Sequence, residues 1–139
     1  MKMSLYERSE CFRGYLLLIG KDRQIASEER ALLLAIGKKL DFESRFCETS
    51  INDLLENNYI SNEPPLFSKK EFAEGFLTDA IGIALADNEF HPNELHWLTA
   101  IAEKNDIDTK WLTASIEEAQ KIKHTGFSAD SLSIDRFLL

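Results

Sequence analysis

The chain is poor in the residues that interrupt or cross-link a fold. Three prolines and six glycines in 139 residues leave few obligatory breaks. Only Cys11 and Cys47 occur, and neither belongs to a CxxC or Cys/His ligand pattern, which excludes a disulfide scaffold and a zinc finger. Both read as small buried hydrophobes of a reducing compartment. Basic residues are the minority, 16 Lys and Arg against 24 Asp and Glu, for a net charge of −8. No cluster of Lys and Arg with interleaved aromatics offsets that balance, so nucleic acid is not an expected partner. The longest apolar run, "YLLLIG" at residues 15–20, is far short of a membrane span. Met1 to Glu10 carries no signal-peptide pattern, and a cytoplasmic location is the expectation. No Ser/His/Asp set, no nucleophilic Cys in a basic setting and no phosphate-binding Gly loop is visible, so the case for an enzyme is weak.

What the chain does contain is a repeat. Residues 22–53 and 87–118 share 9 of 32 positions without a gap, at an offset of 65. Asp22 pairs with Asp87, Glu29 with Glu94, Leu33 with Leu98, and Ala35-Ile36 with Ala100-Ile101. Lys39, Asp41, Ser50 and Ile51 recur as Lys104, Asp106, Ser115 and Ile116. Unrelated segments of ordinary composition would share about two. Each half, about 5–57 and 69–121, reads as helix, short acidic loop, helix, tight turn, helix. Apolar periodicity predicts helices over about Leu5 to Gly20, Ser27 to Leu40 and Ser44 to Glu56. In the second half it predicts about Lys69 to Ala86, His91-Pro92 to Asn105, and Asp108 or Thr109 to Lys121. Ser68 and Glu71 are expected to cap the fourth helix, and Pro64-Pro65 to fence the halves apart. The fifth helix is expected to turn Leu95, Trp97, Leu98 and Ile101 inward. The first and fourth helices are apolar nearly all round and should be central. No period-two strand is found. The expected fold is all-α, a single domain over 1–139: an internally duplicated helical bundle, two three-helix halves about a pseudo-twofold.

The acidic loops share the pattern D-x-x-[I/F]-x-x-x-E. An Asp at a helix C-terminus faces the negative end of the dipole and needs local N–H donors. With Ala26 and His91 as N-caps, Glu29 and Glu94 fall at the third helical position, where Glu reaches back to the cap's N–H. That is the structural reading. The functional one adds a cation: Asp22, Glu29, Asp87 and Glu94 would converge if the two loops meet. A normal calcium loop is excluded, because its first and third positions fall on Ile83 and Leu85 in one half, Leu18 and Gly20 in the other. His91 and His96 lie about 140° apart around their helix and do not form a zinc pair. Asp79, on the buried fourth helix opposite Gly14 of the repeat, needs a partner donor or a raised pKa.

The stretches "ALADNEFHPNELHWLTAIAEKNDI" and "LIGKDRQIASEERALLLAIGKKLDF" resemble the TerB-like (tellurite-resistance) family, which includes the N-terminal region of the membrane-anchored DnaJ-like protein DjlA. The resemblance covers about residues 10 to 120. It implies an all-helical duplicated fold with acidic residues at the inter-helix loops, an association with tellurite and chemical stress, and a metal-related role. The family's acidic positions fall on Asp22, Glu29, Asp87 and Glu94. Two departures stand out: Arg23 and Asn88 occupy positions where the family commonly has Gly. The expected function is a non-enzymatic binding or scaffold domain with a protein partner and a divalent metal ion as cofactor. Its rivals are a metal-dependent hydrolase using the converging carboxylates, and a pure protein-association module. The tail "SADSLSIDRFLL", within an arm over 124–139, carries Leu132, Phe137, Leu138 and Leu139. It is expected to dock on a hydrophobic groove, either this domain's own or that of a second copy in a homodimer.

Overall fold

The computed structural model describes residues 1–21, 23–56, 60–86, 90–122 and 127–138. Six helices form it: α1 (Leu5–Ile19), α2 (Ser27–Lys39), α3 (Ser44–Leu55), α4 (Lys70–Ala84), α5 (Pro92–Lys104) and α6 (Thr109–Gln120). A 3-10 turn follows at Ser133–Phe137, and no strand occurs among the described residues. The protein is an all-α bundle. The bounds of α1, α2 and α3 recur in α4, α5 and α6 at the 65-residue offset of the sequence repeat.

Local chemistry sets these bounds. Ser4 caps α1, its Oγ accepting from the Glu7 N–H at 3.3 Å and donating to Glu7 Oε1 at 2.8 Å. Asp108 caps α6 by accepting from the Lys110 N–H at 2.8 Å. Helices α2 and α5 end in the same way. Asp41 and Asp106 follow their C-caps with positive φ, and Phe42 and Ile107 then donate back to Gly37 O and Ala102 O at 2.9 and 2.8 Å. This is the Schellman arrangement, which satisfies carbonyls that a helix end leaves open.

Helices α1 and α4 lie against one another at the centre, as their all-round apolarity predicts. The Tyr15 and Phe76 rings stack at 4.6 Å, and the Phe76 ring lies where a Cβ on Gly14 would sit. Helices α2 and α3 pack together on one side, α5 and α6 on the other. One contiguous core joins Phe12, Leu33, Ile36, Ile51, Phe72, Leu77, Leu98, Ile101 and Leu112. Cys11 and Cys47 are both buried free thiols within it.

Two expectations are corrected. Ser68 does not cap α4: the N-cap is Lys69, without a side-chain hydrogen bond, and the Ser68 N–H is taken by Glu7 Oε2 at 2.9 Å. A long-range acceptor outcompetes the local capping box. Leu95 does not turn inward but is 43% exposed. On a helix turning 100° per residue it stands about 60° off Leu98, beside the buried stripe of Leu98, Ile101 and Ala102. Trp97 flanks the other side and is half-buried.

The connection carrying Pro64-Pro65 is bound along its length. Arg13 donates to the carbonyls of Ser61 and Glu63 at 2.8 and 2.6 Å, and Glu10 accepts from the Leu66 N–H at 3.0 Å. Asn105, the buried C-cap of α5, accepts from the Phe67 N–H and donates to Pro65 O and Ile101 O, each at 2.9 Å.

The C-terminal arm docks on the chain's own α4. Leu132, Ile134 and Phe137 are buried, and Phe137 meets Phe72 edge-on at 4.9 Å. Gly75 and Gly82, seven residues apart on α4, admit the arm: Ile134 and Phe137 pack over the first, Phe127 over the second. Leu139 lies outside the described residues.

Candidate functional site

The α1–α2 loop and the start of α5 face one another. Between them opens a cleft of about 900 Å³, floored by Leu18 and Ile19 at the end of α1 and by Ile83 and Ala84 at the end of α4. Lys21, Gln24, Glu29, His91, Asn93 and Glu94 form its polar wall. Ile25, from the first loop, contributes apolar surface to the same cleft.

Glu29 and Glu94 owe their positions to helix capping. Neither Ala26 nor His91 caps its helix with a side chain. The glutamates at the third helical position instead reach back, each Oε1 accepting from the N-cap N–H at 2.9 Å. Pro92 at the first position of α5 needs no N–H partner there. Each carboxylate also stands at the positive end of a helix dipole. The capping geometry expected from the sequence is therefore present in both halves, and it brings Glu29 and Glu94 to one cleft.

Asp22 and Asp87, the other two residues of the expected cation set, lie outside the described residues. Among the described residues, no group of three or more His, Cys, Asp or Glu side chains is placed to hold a metal ion. His91 and His96 are both exposed.

The contact between Lys21 and Asn93 in this cleft is not marked in the sequence. Lys21 reaches across it and donates its ammonium to the carbonyl of Asn93, linking the first loop to the first turn of α5. Partial burial draws the Lys21 pKa below its ordinary value, while the charge of Glu94 works in the opposite direction. The signal available was a lysine beside an acidic loop position. Its partner is a backbone carbonyl 72 residues away, which no side-chain pattern marks.

A second buried polar centre lies on α4. Asp79 Oδ1 accepts from the Ser133 N–H at 2.7 Å, and Oδ2 from the Ile134 N–H at 3.3 Å and the Tyr15 hydroxyl at 3.4 Å. Burial raises its pKa to about 6, and those hydrogen bonds offset only part of the rise. The partner donors expected for this carboxylate come from the arm and from α1.

Comparisons with protein families, with curated proteins and with solved structures give no match to this chain. None of the helices is long and apolar enough to cross a membrane, among the described residues.

Proposed function

We propose that the chain is a non-catalytic binding or scaffold module of the TerB-like kind, serving a tellurite or chemical-stress response in the cytoplasm. Its two acidic inter-helix loops form one ligand site, with a divalent cation as cofactor held by Asp22, Glu29, Asp87 and Glu94. A protein partner reads the loaded cleft. The observation that supports this reading is that Glu29 and Glu94, 65 residues apart, line a single cleft. Hard divalent cations take carboxylate and carbonyl oxygens, which is the donor chemistry of the two loops.

Calorimetric titration of the full chain with Mg²⁺, Ca²⁺, Mn²⁺ and Zn²⁺ tests it. One equivalent should bind, and the Glu29→Gln/Glu94→Gln double variant should bind at least tenfold more weakly while keeping its helical circular dichroism. Binding accompanied by turnover of phosphoester or peptide substrates would instead establish the hydrolase. The absence of binding by all four ions would remove the cation and leave a protein-association module.

A further inference from the structure

Asp79 is a buried carboxylate that accepts from two backbone N–H groups of the arm and one tyrosine hydroxyl, with the Ser133 side chain also favouring its ionised form. No ion pair reaches it among the described residues. The arm that supplies the two N–H groups is also what covers this face of α4, seated on Gly75 and Gly82. Docking therefore takes water away from the carboxylate at the same time as it hydrogen-bonds it. We propose that the arm is a proton-coupled strap, which docks more tightly on α4 when Asp79 is protonated and loosens when Asp79 ionises.

The geometry accommodates both states. In the ionised state all three donors point at the carboxylate. On protonation the new proton, taken from solvent, sits on the carboxyl, which still offers acceptor oxygens to the arm's N–H groups. Oδ1 continues to accept from Ser133. The protonated form thus keeps its seat without the cost of a buried charge.

The surrounding groups do not reverse this. From α1, Tyr15 and Cys11 face Asp79, and burial holds both in their neutral forms, well above their ordinary pKa values. On the arm, Asp135 is paired with Lys39 of α2 at 2.9 Å. Helices α5 and α6, which also pack on α4, place no ion pair on Asp79 among the described residues. By linkage, docking and protonation favour one another. The rise from an ordinary 3.8 to about 6 belongs to the whole fold, so it sets an upper bound of about tenfold on how much more tightly the arm is held at pH 5 than at pH 7.5.

Hydrogen exchange measured by NMR on the full chain reads the strap directly. The Ser133 and Ile134 amides, corrected for intrinsic exchange, should gain in protection by up to about tenfold between pH 7.5 and pH 5. In Asp79→Asn the same amides should show no such trend. Amides of α1 and α4 that exchange only through global unfolding should gain by no more than about the same tenfold, and a gain at Ser133 and Ile134 that persisted in Asp79→Asn would overturn the strap. Flat protection in the wild type would also overturn it. Should Asp79→Asn fail to fold, the Asp79 carboxyl ¹³C titration in the wild-type chain decides: a midpoint that coincides with that of the Ser133 and Ile134 protection supports the proposal, and a midpoint at or below 4, or one that the protection does not follow, refutes it.

Discussion

Asp41 and Asp106 stand 65 residues apart and both hold a left-handed backbone, with φ of 67° and 56°. Each follows the C-cap of the middle helix of its half and donates its N–H to a carbonyl of the last turn, Lys38 O at 3.0 Å and Glu103 O at 3.2 Å. An Asp tolerates this conformation better than most residues but still carries a penalty that glycine lacks. Asp41→Gly and Asp106→Gly should each raise stability by about 0.5–1 kcal/mol, read from urea melts at unchanged m-value. A β-branched replacement such as Asp106→Val should lower it. Neutral glycine variants would show that the aspartate side chains make compensating interactions.

Asn105 closes the connection between the halves. Its side chain satisfies Phe67 N–H, Pro65 O and Ile101 O in a buried setting. Asn105→Ala should cost about 2–4 kcal/mol, the range for leaving more than one buried polar group unpaired. Asn105→Asp should do comparable damage, because two carbonyls would then face a carboxylate. Denaturant unfolding measures both, and a loss below 1 kcal/mol would place water or slack at this junction.

Removing residues 127–139 should strip cover from Phe72, Gly75 and Gly82 on α4. The arm buries Leu132, Ile134 and Phe137, each contributing roughly 1.5–3 kcal/mol when fully withdrawn from water. A chain truncated after residue 126 should melt several degrees lower and bind a hydrophobic dye. An unchanged melting temperature would show that the docked arm adds nothing to the fold. A dimer that dissociates on truncation would show that the arm also reaches a second copy.

Acid should act through Glu7. Burial works to raise its pKa, but hydrogen bonds from Ser68 and Ser4 outweigh that and hold it below the ordinary 4.5. The native state then binds fewer protons than the unfolded chain. This contribution is complete above pH 4.5 and is lost as the pH falls through the depressed native value. Glu7→Gln should flatten the acid limb of the stability profile below pH 4.5. Asp79 acts with the opposite sign, its contribution fading as the pH rises from 3.8 through about 6. Unfolding free energies between pH 3 and 8 separate the two residues.

The helices were legible in the sequence because their punctuation is local. Pro92 and Asp108 mark starts, and apolar periodicity places the other bounds within a residue or two of those observed. Glu29 and Glu94 were legible for the same reason, since the capping contact spans three residues. What the sequence obscured is held by contacts across the chain. The Ser68–Glu71 pair has the spacing of a capping box, yet Glu7, 61 residues away, takes the Ser68 N–H. Asn105 looks like an ordinary helix stop, and its bonds to Pro65 and Phe67 have no counterpart in periodicity. Lys21 reaches a carbonyl rather than a side chain, so its crossing of the cleft leaves no pattern of residue types.

The Met3 N–H donates to Phe137 O at 2.8 Å, so the two extremities of the described chain meet on one face. Mechanical load pulling them apart would fall first on that bond and on the seats of the arm, and only later on the helices. The arm would peel residue by residue rather than shear as a block, since its aromatic anchors enter α4 one after another. Residues 127–138, drawn out at about 3.4 Å each, would lengthen the molecule by at most about 40 Å before a helix of the bundle gave way. The protein is thus built with a compliant outer element in series with a stiff one.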